Sequence, residues 1–307
     1  MPVMMRYAKK IGFTDKPNHR KLHMSPTPLI GGVVMFISFF ISFFIFNKGL
    51  DYQDFAVFAA SVLIMAIGIL DDYYKTKGND LSALPKILVQ VAAATIVFFA
   101  GYAFHGFSNP FSSKIITFPN WLQYIFTILW IFGVTTVVNF SDGLDGLAGG
   151  ISAICASALF IVAITTGQGS PALMAAMLIG SILGFLKYNS HPAKVFMGDS
   201  GATFLGFFLA VISLEGVFKQ ATLISLFIPV LALGVPIFDN IYVVLRRFKE
   251  KKPVYKADRM QIHYRLMHSG LSVKQVNAFI YLISTCLCLV SIILLIINSG
   301  IMVSAQS

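Results

Sequence analysis

The segment Asn139-Phe140-Ser141-Asp142-Gly143-Leu144-Asp145-Gly146-Leu147 sets an amide and two carboxylates between two long apolar runs. Acids at the edge of hydrocarbon are costly, and they are kept where they meet a cation, a partner or a cavity. A helix beginning near Asp142 would place Asp145 three residues on, on the same face. Both carboxylates would then converge on one point able to hold a cation or a hydroxyl-rich ligand. The same spacing fits a capping box, in which Asp142 closes the next helix and Asp145 reaches back to it. On this segment alone both readings stand. Two further acidic stations, Asp71-Asp72 and Asp199, also fall at the ends of apolar runs, and their agreement favours chemistry. Adjacent carboxylates such as Asp71 and Asp72 repel unless a proton or cation lies between them. Asp199 sits in Met197-Gly198-Asp199-Ser200-Gly201, where an N-cap is one reading, and glycines admitting a ligand to the backbone are the other. Lys86, at the mouth of the next apolar run, is placed to snorkel or to hold a phosphate.

The elements that must position these groups are membrane helices. Of 307 residues, 57% are hydrophobic and 12% charged, and the mean hydropathy of +0.79 excludes a soluble domain. The expected fold is all-α, a polytopic transmembrane bundle of about nine spans near 28–46, 55–70, 87–104, 121–138, 147–166, 171–188, 201–218, 222–245 and 277–301, each close to the ~20 residues a bilayer needs. With a cytoplasmic N-terminus, 20 of the Lys and Arg residues fall in loops on one side, and only Lys48, Lys114 and Lys219 on the other. That asymmetry orients the chain. The net charge of +10 is therefore topology and attraction to anionic lipid, with no call for nucleic acid.

All three acidic stations land on the cytoplasmic side, whereas Asp51, Asp54 and Glu215 lie outside and read as ordinary loop or interfacial residues. Residues 1–27 are polar and basic with no apolar core, so they form neither a signal peptide nor a span. The chain reads as one integral membrane domain, 1–307, with a cytoplasmic loop at 1–27, a bundle at 28–301 and a substrate-binding cytoplasmic loop at 246–276. Pro229 and Pro236 predict a kink in the eighth span. Asp239 stands six residues before Arg246, roughly 10 Å inside the interface if helical, where an acid usually faces a cavity. Cys155, Cys286 and Cys288 lie in apolar runs without disulfide or metal-ligand spacing. In the last loop, Asp258-Arg259-Met260-Gln261-Ile262-His263-Tyr264-Arg265 mixes cations with hydrogen-bonding groups. Cations on the same side as five acids point to a phosphorylated substrate held through a metal.

Five stretches in order carry a resemblance to the polyprenyl-phosphate N-acetylhexosamine-1-phosphate transferases, bacterial enzymes that start teichoic acid, O-antigen and enterobacterial common antigen synthesis. They are Asp15-Lys16-Pro17-Asn18-His19-Arg20-Lys21-Leu22-His23, Asp71-Asp72, the Asn139–Leu147 segment, His191-Pro192-Ala193-Lys194-Val195-Phe196-Met197-Gly198-Asp199-Ser200-Gly201 and the late Asp258–His263 stretch. The resemblance implies transfer of a sugar 1-phosphate from a UDP-sugar, expected to be UDP-N-acetylglucosamine, to undecaprenyl phosphate, with release of UMP. It implies Mg²⁺ or Mn²⁺, an inner-membrane location and room for a homodimer. By the same resemblance Asp199 and Asn139 are metal ligands, Asp142 and Asp145 line the nucleotide pocket and Lys86 contacts phosphate. Asp71 and Asp72 act on the lipid phosphate, and His263 and Arg265 contact the sugar phosphate.

Two departures bear on the expectation. Close relatives read H-x-H-H where this chain has Gln261-Ile262-His263-Tyr264, so the accepted sugar need not be N-acetylglucosamine. Relatives usually also place a spanning helix before the Asp15 loop, and the reading frame is expected to extend upstream through such a segment. Among rivals, a secondary transporter should carry its acids near the midplane. A CDP-alcohol phosphotransferase should follow its first Asp-Gly with an Ala-Arg pair that Leu147-Ala148-Gly149-Gly150 lacks. The muramoyl-pentapeptide phosphotransferase, within the same superfamily, has three consecutive histidines that 261–264 do not supply.

Overall fold

The structure is a computed structural model that describes residues 1–15, 25–79, 81–108, 115–216, 223–251 and 260–304. Its helices are α1 (Pro2–Lys10), α2 (Gly31–Phe46), α3 (Tyr52–Thr76), α4 (Ala83–Phe99), α5 (Asn120–Phe140), α6 (Leu147–Thr165), α7 (Gly169–Asn189), α8 (Gly198–Gly216), α9 (Leu223–Ala232), α10 (Gly234–Lys249), α11 (Ile262–His268) and α12 (Val273–Ser304). Two small antiparallel ribbons complete it, β1 (Thr14–Asp15) with β2 (Thr27–Pro28) and β3 (Gly106–Ser108) with β4 (Ile115–Thr117). This is a polytopic, all-α membrane protein. Six of the described helices are long and apolar enough to cross a bilayer, while Gly31–Phe46 and Ala83–Phe99 are apolar but shorter. The eighth expected span is two helices: α9 contains Pro229 and stops at Ala232, and α10 begins at Gly234 with Pro236 in its first turn. The predicted kink is thus a full break.

α8 is the axis of the bundle. It packs against α2, α3, α5, α6 and α7, and 94% of its apolar window is buried at a hydropathy of only 1.2. Close packing is possible because small residues face the neighbours. A Cβ on Gly32 would strike the backbone of Gly201, one on Gly68 the backbone of Ser200, and one on Gly206 the backbone of Thr135. Without a hydrophobic drive between helices in lipid, such backbone approach is what holds a bundle together. Farther from the acidic end, Phe36, Phe39 and Phe40 of α2 interlock with Phe204 and Phe208 of α8, the closest ring centroids 4.3 Å apart. Edge and tilted contacts of this kind suit the aromatic quadrupole.

The N-terminal region departs from the expected plain loop. Pro2–Lys10 is a short helix that buries Ala8 and lays Met1, Met4 and Met5 on the core while Arg6, Lys9 and Lys10 stay exposed. Residues 16–24, most of the Asp15–His23 motif, lie outside the described residues, as do Asp258 and Arg259. The expected exterior acids are structural: Asp51 and Asp54 form a capping box at the start of α3, with Asn47 also donating to Asp54. Cys286 is exposed and Cys288 buried, as two residues two apart on one helix should be.

Candidate active site

α3 runs past its expected end at residue 70 to Thr76, so its last turns carry Asp71, Asp72 and Lys75 together. Neighbours on a helix point about 100° apart, and the two buried carboxylates take different work. Asp71 meets the Lys86 ammonium at 2.6 Å and the Lys75 ammonium at 3.2 Å, and its other oxygen accepts the Leu81 N–H at 3.2 Å. Asp72 accepts the Asp199 N–H at 2.8 Å, the Ser200 N–H at 3.1 Å and the Ser200 hydroxyl at 2.7 Å. It is therefore the N-cap of α8, supplied from a different helix. Gly198, at φ +71, makes this possible, since any side chain there would run into the Asp72 carboxylate.

Asp199 stands on the first turn of α8 and is bound to the same two ammonium groups, Lys75 at 2.6 Å and Lys86 at 3.5 Å. Two cations thus bridge Asp71 and Asp199. The knot remains partly open to solvent through the side chains of Lys75, Lys86 and Asp199, which are 32%, 28% and 24% exposed. Of the expected residues, Asp71, Asp72, Lys86 and Asp199 are brought into direct contact.

The Asn139–Leu147 segment is built differently from either reading of its spacing. α5 ends at Phe140 and α6 starts only at Leu147, with Gly146 in the left-handed region as its N-cap. Asp142 and Asp145 therefore share no helix face, and neither caps α6. The chain turns between them because Gly146 can adopt φ +81, which a residue with a Cβ resists. Asp145 accepts the Ala193 N–H at 3.0 Å and meets His191 Nδ1 at 2.8 Å. Asn189 takes the Gly146 N–H, while Asn277 and Tyr281 of α12 donate to the carbonyls of Asp145 and Gly146. Asp142 is left reaching solvent. Asp199, Asp72 and Lys75 are near enough to act on its charge. Asn139 lies half-buried in the last turn of α5. Among the described residues no group of three His, Cys, Asp or Glu is arranged to hold a metal.

The other wall is α11. His263 is buried, and its ring fills the space where Gly143 has no side chain. Burial pulls its pKa down to about 4, so the ring is neutral. Arg265 lies over the Tyr242 ring at 4.3 Å. Three polar atoms of this wall, Gln261 Oε1, His263 Nε2 and Arg265 Nε, are buried without a hydrogen-bond partner among the described residues. Such groups are rare in native interiors and call for an explanation.

The profile of glycosyl transferase family 4 matches residues 55–217, a stretch that includes the Asp71–Asp72 pair, the Asn139–Leu147 turn and the capped start of α8. The chain belongs to this family. The probable undecaprenyl-phosphate N-acetylglucosaminyl 1-phosphate transferase of Bacillus subtilis (strain 168) is 39% identical over 282 residues, covering 92% of this chain and 77% of that one. The decaprenyl-phosphate N-acetylglucosaminephosphotransferase of Mycobacterium tuberculosis (strain ATCC 25618 / H37Rv) is 32% identical over 92% of this chain and 75% of its own. The undecaprenyl-phosphate alpha-N-acetylglucosaminyl 1-phosphate transferase of Escherichia coli (strain K12) is 28% identical over 94% and 78%.

Within this family 4 chain, the sequence reading missed two members of the site. Lys75 lies beyond Leu70, where the apolar run ends, among the cytoplasmic loop cations of the sequence, yet its spacing of four from Asp71 marks a continuing helix with an ion pair along it. His191, quoted in its motif without a role, holds Asp145 in place. No hydrogen bond among the described residues joins the Asn139 side chain to Asp199, and Asp145 faces His191 instead of the lysine knot.

Proposed function

We propose that this family 4 protein transfers an N-acetylhexosamine 1-phosphate, N-acetylglucosamine 1-phosphate first among candidates, from a UDP-sugar to undecaprenyl phosphate, releasing UMP at the cytoplasmic face of a bacterial inner membrane. The observation that carries this reading is the pair of ammonium groups shared between Asp71 and Asp199. The names of the relatives agree with it. Phosphoryl transfer between crowded anions needs positioning and charge neutralisation more than a covalent intermediate.

An oxygen of the lipid phosphate attacks the phosphorus that bears the sugar, the bond from that phosphorus to the bridging oxygen breaks, and UMP leaves with that oxygen. Lys75 and Lys86 exchange carboxylate partners for phosphate oxygens, and Asp71, relieved of an ammonium, accepts a proton from the lipid phosphate at Oδ2 or orients it. Asp72 keeps the first turn of α8, and hence Asp199, in register. Arg265, whose side chain is 40% exposed, offers its guanidinium to the sugar phosphate, and Gln261 and His263 shape the wall beside it.

A divalent cation fits the donor chemistry, since both Asp199 oxygens already face cationic nitrogen atoms. Asp199, with Asn139, would hold it. Mg²⁺ is commonly bound through one or two carboxylates, waters and substrate phosphates, so a cluster of three acids is not required. Bound there, Mg²⁺ or Mn²⁺ supplies neutralisation of charge on the diphosphate. The test incubates membranes containing the protein with polyprenyl phosphate and a panel of UDP-sugars and weighs the lipid product. A lipid heavier by one N-acetylhexosamine phosphate is expected; no lipid product with any UDP-N-acetylhexosamine would sink the reading.

A further inference from the structure

The acid in the broken eighth span, Asp239, has no part in the site described above, yet it is tied to it. Its two carboxylate oxygens accept the Ile262 N–H at 2.9 and 3.0 Å, which closes the first turn of α11. The Arg265 guanidinium lies 3.5 Å from the same carboxylate, which is only 9% exposed. Tyr242, three residues on along α10, supplies the ring beneath Arg265, so one face of α10 grips α11 at two points. Ser141, Asp239, Ile262 and His263 line one narrow crevice. Asn240, next along α10, donates to the Val137 carbonyl near the end of α5 at 3.4 Å. α10 is therefore fixed to the helix that leads into Asp142 and to the helix that carries His263.

We propose that Asp239 is a positioning residue: it acts through the Ile262 N–H and Arg265 to hold α11 against Gly143, and so sets donor binding without touching substrate. This rests on the reading that His263 and Arg265 face the sugar nucleotide. A carboxylate only 9% exposed is costly unless it is paired, and a peptide N–H and a guanidinium are the partners that offset the cost.

The test uses the full chain in nanodiscs and two readouts, backbone hydrogen exchange over Ile262–His268 and the KM values for UDP-sugar and polyprenyl phosphate. A hydrogen bond to a charged group is worth enough that its loss should speed exchange and raise donor KM by about tenfold each, with acceptor KM unchanged. Asp239→Ala should do both. Asp239→Asn keeps an oxygen for Ile262 but not the charge facing Arg265, so exchange should stay within about threefold of wild type while donor KM rises less than in Asp239→Ala, a partial rescue that mere bulk would not give. If Asp239→Ala does not fold, Tyr242→Ala at a surface-exposed ring carries the test: donor KM should rise through Arg265 while exchange at Ile262 stays slow. Unchanged exchange in Asp239→Ala, or acceptor KM rising as much as donor KM, overturns the proposal. A wild-type protein that makes no lipid product fails the transferase reading instead, and the exchange experiment remains readable without it.

Discussion

The two walls of the site are made in opposite ways. On the α3–α8 wall every acid is engaged: Asp71 with two ammonium groups and a peptide N–H, Asp72 with the first turn of α8, Asp199 with the same two lysines. Behind it the helices meet backbone to backbone through Gly32, Gly68 and Gly206. On the α10–α12 wall, a helix of seven residues and its N-cap Gln261 carry three polar atoms with no partner among the described residues, and α12 behind them holds the most apolar stretch of the six long helices, at hydropathy 2.9 with 28% of it buried. The contrast teaches a division of labour. On the proposed reading, the wall assigned to the phosphates is locked, whereas the wall assigned to the sugar hangs on a small element that begins at Gln261.

The largest effect should come from charge on the locked wall. Several kcal/mol of charge stabilisation at the reacting phosphates corresponds to on the order of 100-fold in rate or more, so Asp199→Asn should lose at least that much activity while keeping its melting temperature. Asp71→Asn should behave likewise, since the amide oxygen still accepts the Leu81 N–H. Asp72→Ala should differ in kind: it strips a helix cap, worth about 1–2 kcal/mol, and should lower the melting temperature together with activity. Activity near wild type in Asp199→Asn at limiting Mg²⁺, or an unchanged melting temperature in Asp72→Ala, would erase the distinction between a reacting and a capping carboxylate.

Next in size is the packing behind the walls. Gly68→Val drives a side chain into the Ser200 backbone, and over-packing of this kind typically costs about 1–3 kcal/mol. Ile293→Ala on α12, at a side chain 53% exposed on the outer face, should stay within about 0.5 kcal/mol. Thermal unfolding in detergent compares them; equal losses would mean that the locked wall is no more tightly built than the other.

Much of this was legible in the sequence, and the failures have causes. Helix existence, the break at Pro229 and Pro236 and the clustering of Asp71, Asp72, Lys86 and Asp199 follow from hydropathy, proline chemistry and the recurrence of acids at run ends. The end of α3 was misplaced because hydropathy marks where lipid stops, and α3 continues past that point as a charged helix. Hydropathy likewise could not rank the spans by centrality: α8 has Asp199, Ser200 and Thr203 on one end, so it reads as a weak span, yet it is the most covered. The turn at Asp142–Gly146 was read as helix because Asp-Gly-x-Asp-Gly fits a cap as well as a left-handed turn, and only the donors from Asn189, Asn277 and Tyr281, distant in sequence, decide between them. The gap between Asp71 and Asp72 could not be seen at all, because their division depends on which neighbouring helix each one faces.

The last test reads the open wall through acid. His263 is 2% exposed, and burial alone lowers its pKa from 6.5 to about 4, so the folded protein holds the ring neutral while the unfolded chain takes up a proton below pH 6.5. Since stability rises with pH wherever the unfolded state binds more protons, the contribution of His263 is complete above pH 6.5. It is lost as pH falls from there towards 4, and is flat below. At one pKa unit per 1.36 kcal/mol the loss is on the order of 3 kcal/mol at most. His263→Gln places an amide where the ring stood and cannot titrate, so wild type minus variant isolates this slope from the carboxylates. The expected result is a difference in unfolding free energy that shrinks between pH 6.5 and pH 4 and is constant above. A flat difference across that window would mean that water or a substrate phosphate reaches the ring, and that the α11 wall is open enough for His263 to carry charge.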